Sequence, residues 1–65
     1  MIELNFNNYK ELAVPGSTII YRNKGDCSGN IATIIKDPVF SDGIRVGGCS
    51  VKYILETFDM VYIKK

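Results

Sequence analysis

The sequence contains no histidine. That removes the usual base for a Ser or Cys nucleophile and the commonest nitrogen ligand for a metal. Tryptophan is also absent, and there are only two cysteines, Cys27 and Cys49, with no Cys-x-x-Cys pair. A zinc site therefore has no ligand set. A secreted miniprotein of this size usually carries about four or more cysteines. Two reduced thiols are expected here, with Cys49 acting as a small core hydrophobe. The alternative is a disulfide joining a loop to the start of a strand.

No apolar run approaches the roughly 18 residues needed to span a bilayer. The start, Met1 to Phe6, has neither the basic region nor the apolar stretch of a signal peptide. There is no Asn-x-Ser/Thr sequon. These absences predict a soluble, cytoplasmic protein. Neither sign of charge is in excess: eight Lys and Arg against seven Asp and Glu leave a net charge of +1. A nucleic-acid binder usually shows a basic surplus. No cofactor motif is present, so no cofactor, metal or catalytic residue is expected.

What is present suits a single domain, residues 1–65, with 46% hydrophobic residues. A chain this short buries only about 60% of its unfolded surface. A shallow groove fits such a body better than a deep substrate cavity.

Ile2, Leu4 and Phe6 alternate with Glu3 and Asn5, which predicts a short strand with one buried face. Asn8 is placed to cap a helical turn over residues 8–12, with Glu11 as the partner in a capping box. Pro15-Gly16 marks a turn. Thr18 to Arg22 is β-branched and aromatic, hence a strand. Asn23 to Ser28 is a polar loop. Asn30 to Lys36 reads as a strand that is apolar on both faces through Ile31, Ile34 and Ile35, and so central. Pro38 ends it.

Ile44 to Val46 and Cys49 to Tyr53 read as a hairpin around Gly47-Gly48, a turn with positive φ at both central residues. That register pairs Val46 with Cys49, Arg45 with Ser50 and Ile44 with Val51. Ile44, Val46, Cys49, Val51 and Tyr53 then share one face, and Arg45, Ser50 and Lys52 share the other. A 3₁₀ turn near 56–59 leads into a last strand, Met60 to Ile63, and the charged end Lys64-Lys65.

The expected fold is an all-β, five- to six-stranded antiparallel barrel centred on Gly29 to Ile54. The order of a Pro-Gly turn, a strand, a Gly-led strand, a hairpin and a closing strand after Phe58-Asp59 resembles the SH3-like small barrels over residues 14 to 63. The resemblance implies a binding module. It lacks the Trp and the acidic loop of the SH3 domains that bind Pro-rich peptides, so that groove is not implied. A split barrel or an OB-like barrel is the alternative.

Gly25-Asp26-Cys27-Ser28-Gly29 echoes a protease nucleophile loop, but nothing supplies a base, and a solvated connection accounts for it. Asp37, Asp42 and Asp59 miss calcium-loop spacing and suit turns. Gly47-Gly48 leads into no helix N-terminus in this reading, so it forms no phosphate cradle. Phe40, in the loop after Pro38, is either a core plug or an exposed anchor beside Val39.

These residues point to a non-enzymatic protein that binds another protein through Val39, Phe40, Arg45 and Lys52, through the 23–28 loop, or through an open strand edge. A free-standing domain of this size looks like a phage or mobile-element accessory product that inhibits a host protein in the host cytoplasm. The alternative is a nucleic-acid-binding barrel using Arg22, Lys24, Arg45 and Lys52, with Tyr21 or Phe40 to stack bases. Homo-oligomerisation through an edge strand is a third arrangement.

Overall fold

The computed structural model, which describes residues 1–64, contains six strands and two short helices. They are β1 (Ile2–Glu3), α1 (Tyr9–Leu12), β2 (Thr18–Arg22), β3 (Asn30–Thr33), β4 (Ile35–Lys36), β5 (Ile44–Arg45), α2 (Val51–Thr57) and β6 (Met60–Lys64). β1, β6, β2 and β3 form an antiparallel sheet in that order, and β4 pairs with β5 in a second sheet. The fold is all-β, but the expected closed barrel is not formed: the strands divide between two sheets.

The larger sheet is built where the period-two pattern is cleanest. In β2 and β6, Ile19, Val61 and Ile63 are buried, and Ile19 pairs with Ile63 while Tyr21 pairs with Val61. Ile34 and Val51 close over them, fully buried. Each such side chain contributes about 1.5–3 kcal/mol on burial. The edge of the Phe58 ring meets Tyr21 at 4.7 Å between centroids and seals one end of this core.

The first strand is shorter than expected. Only Leu4 of the Ile2, Leu4, Phe6 set is buried. Asn5 ends the strand by folding back, its Oδ1 accepting the Asn7 and Asn8 N–H groups at 2.8 and 3.0 Å. α1 forms where the sequence places it, but without the capping box. The Asn8 side chain makes no cap hydrogen bond. Its Oδ1 accepts from Asn5 N–H at 2.8 Å, and its amide donates to the Glu3 carbonyl at 3.0 Å.

The strand expected over 30–36 is broken at Ile34, and β3 is an edge strand rather than a central one. Ile34 donates its N–H to Ser17 O (2.9 Å) and accepts from Gly16 N–H (2.8 Å). There the chain leaves one sheet for the other. Ile34 turns into the core, while Ile31 and Ile35 face outward.

The Gly47-Gly48 turn is present. Val46 and Cys49 exchange both backbone hydrogen bonds, at 2.7 and 3.0 Å. Only Gly47 has positive φ (59°), so the turn needs it at its first central residue alone. Beyond Cys49 the expected strand is a helix. Ser50 Oγ accepts the Tyr53 N–H at 3.0 Å and caps α2. Val51 and Ile54 point into the core, and Tyr53 lies 51% exposed. Arg45 therefore pairs with Ile35, and Ile44 with Lys36. The 3₁₀ turn expected near 56–59 is replaced by the end of α2, where Phe58 N–H donates to Ile54 O. Lys65 of the charged end lies outside the described residues.

Candidate functional site

The loop from Asp37 to Gly43 joins β4 to β5 and is braced from within. Asp37 Oδ1 accepts the Val39 N–H at 3.0 Å. Asp37 N–H donates to Gly43 O, and Gly43 N–H to Phe40 O, both at 2.9 Å. Asp37 Oδ2 also pairs with Arg45 Nε at 3.0 Å. Gly43 takes φ +74°, a conformation that suits glycine. The brace lifts Val39 to 87% exposure. Phe40 is half-buried, between the plug and the exposed anchor that its sequence position allows.

α1 supports the loop from the other side. The Tyr9 hydroxyl donates to Asp42 Oδ2 at 3.0 Å. Burial pushes the Tyr9 pKa up, and the hydrogen bond and negative charge of Asp42 push it further. A cleft of about 380 Å³ lies between α1 and the loop, lined by Tyr9, Pro15, Asp42 and Ile44 among others.

The loop continues directly from an open sheet edge. Ile31 is 66% exposed and Ile35 44%. Ile34 spends its N–H and C=O on residues 16–17. Alternation along an antiparallel strand then turns the backbone polar groups of Ile31 and Thr33 away from β2. Residues 30–35 contain no charge and no proline, the usual devices that blunt an edge. Ile31, Ile35 and Val39 thus present three β-branched side chains along one run of chain.

Of the four cations singled out in the sequence, Arg45 and Lys52 do not share the expected hairpin face. Arg45 is held by Asp37 and by a hydrogen bond to the Gly47 carbonyl. Lys52 lies exposed on α2, not beside Arg45 on a hairpin. Arg22 Nη1 donates to Asp26 O at 3.1 Å. The Lys24 backbone N–H donates to Asp59 Oδ2 at 2.9 Å.

In the 23–29 loop, Asp26 Oδ2 accepts the Asn23 N–H at 3.0 Å, and Cys27 and Ser28 are exposed. Both cysteines are free thiols, and Cys49 packs partly buried against the core. Among the described residues no group of three His, Cys, Asp or Glu could hold a metal, and no helix is long and apolar enough to cross a membrane.

Two features escape a reading of the sequence. The Tyr9–Asp42 contact spans 33 positions and has no local signal. The outward set Ile31 and Ile35 was hidden by Ile34 beside it, because adjacent isoleucines read as a strand buried on both faces. The chain matches no family model, no curated protein and no solved structure.

Proposed function

We propose that this chain is a non-enzymatic binding protein that recognises another protein through the edge formed by β3, β4 and the 37–43 loop. One observation carries the reading: Ile31 and Ile35 are exposed on the uncharged stretch 30–35, and Val39 is exposed on the internally braced loop that follows it. An extended partner segment added to β3 would take hydrogen bonds from Ile31 and Thr33 and place its side chains against Ile31 and Ile35. Val39, with the half-buried Phe40 next to it in the chain, supplies an apolar contact at one end. The pre-set loop keeps the ordering cost of binding low.

In this reading Arg45 acts indirectly, holding Asp37 and therefore Val39, and Lys52 lies on a different element. Binding occludes the partner's surface, the mode expected of an accessory protein that inhibits a host enzyme. On this reading the order of tight turn, short helix and closing strand at the C-terminal end is a variant of the SH3-like layout.

The test is capture from host lysate with the tagged chain, nuclease treatment and washes at low and high salt. Ile31→Lys and Val39→Ala are run alongside. A protein retained by the parent chain and lost from both variants, with their circular dichroism unchanged, is the expected result. Retention by both variants overturns the reading. So does recovery of nucleic acid that high salt releases.

A further inference from the structure

The other edge of the four-stranded sheet carries a second groove. It lies between the β1–α1 linker and the end of α2, has a volume of about 250 Å³, and is lined by Glu3, Leu4, Phe6, Leu55, Phe58 and Asp59 among others. Its apolar part is unusually open for a core margin, since Phe6 is 51% exposed. The Phe6 ring is held edge-on to Tyr9, at 6.3 Å between centroids.

The polar part has one sign. Glu3 and Asp59 line the groove, and no lysine or arginine does. The last turn of α2 also contains Glu56 and no basic residue. The carbonyl end of the helix is therefore not offset by a cation. Lys24 meets Asp59 through its backbone N–H, and the one ion pair among the described residues joins Arg45 to Asp37.

We infer that this groove docks a basic, apolar segment of a partner protein. An arginine or lysine of that segment lays its aliphatic stem along Phe6 and Phe58 and brings its charged end to Asp59, Glu3 and the end of α2. A cation on a phenyl face and a cation beside carboxylates are both favourable. An acidic segment meets like charge at Glu3 and Asp59. An uncharged segment takes water from those carboxylates and returns no partner. The groove is at the β1 edge of the sheet and β3 is at the opposite one, so this inference stands independently of the β3–β4 reading.

The test uses the full chain, labelled with ¹⁵N, and a short synthetic peptide of alternating leucine and arginine. The controls are the same peptide with glutamate for arginine, and spermidine. The expected result is that the arginine peptide shifts the amides of Phe6, Leu55, Phe58 and Asp59, and that binding weakens as salt rises. Phe6→Ala and Asp59→Asn should each weaken it at least about fivefold, the change that marks an anchor residue. Phe6 is exposed, and asparagine keeps an oxygen for the Lys24 N–H, so both variants should fold. Spermidine should bind more weakly, having charge without the apolar side chains. Shifts confined to other residues, equal binding of the glutamate peptide or spermidine, or unchanged affinity in both variants overturns the proposal.

Discussion

The Tyr9 hydroxyl and the Asp42 carboxylate meet at 3.0 Å and tie α1 to the loop that carries Val39. Tyr9 is buried, and its pKa lies above the ordinary value of 10.0. The folded state therefore holds the proton at pH values where the unfolded chain has begun to lose it. Stability from this group is complete below about pH 10 and falls as pH rises beyond it. Tyr9→Phe should cost about 1 kcal/mol near neutral pH and flatten the alkaline decline. Urea unfolding curves at neutral pH and above pH 10 measure both effects.

Ile19 and Ile63 pair across β2 and β6, and neither has any exposure. Ile19→Ala should cost about 2–5 kcal/mol. A domain this small has little stability in reserve. The variant is expected to be largely unfolded at 37 °C, as amide dispersion in a ¹⁵N spectrum would show.

Ser50 caps α2 through its hydroxyl. Ser50→Ala should lower stability by about 1 kcal/mol, and Ser50→Asp should restore most of it. If residues 50–53 were a strand, the aspartate would give no such rescue. Thermal melts of the three proteins distinguish the two cases.

The Arg45–Asp37 ion pair is partly exposed, with side-chain accessibilities of 35% and 23%. Arg45→Ala should therefore change stability by less than about 1 kcal/mol. Its larger effect should be on the order of the 37–43 loop, seen as a drop in the heteronuclear NOE of Val39 and Phe40. An unchanged NOE would remove Arg45 from any positioning role.

Cys27 is exposed and Cys49 partly buried. Iodoacetamide under non-reducing, native conditions should modify Cys27 first and Cys49 more slowly, and mass spectrometry should find both available. A mass showing neither modified would mean the two are joined.

The sequence by itself determined the pieces whose signal is local. β2 spans Thr18–Arg22, as its β-branched and aromatic residues predict. The Val46–Cys49 turn falls where the paired glycines put it, and a helical turn forms at 9–12, where the sequence places one, although Asn8 does not cap it. The exposed position of Val39 follows from a polar loop after Pro38.

Tertiary structure decided the rest. Residues 49–53 carry β-branched and aromatic residues that read as strand, yet Val51, Ile54, Leu55 and Phe58 also stand at helical spacing behind a capping serine. Seven residues are too few to hold a helix alone, so burial of Val51 and Ile54 in the core that also holds Ile19 and Ile63 made the choice. The order β1-β6-β2-β3 sets the first and last strands side by side, and no local pattern encodes it. That order makes β3 an edge, and the passage of the chain from one sheet to the other at Ile34 turns Ile34 into the core while Ile31 and Ile35 face solvent.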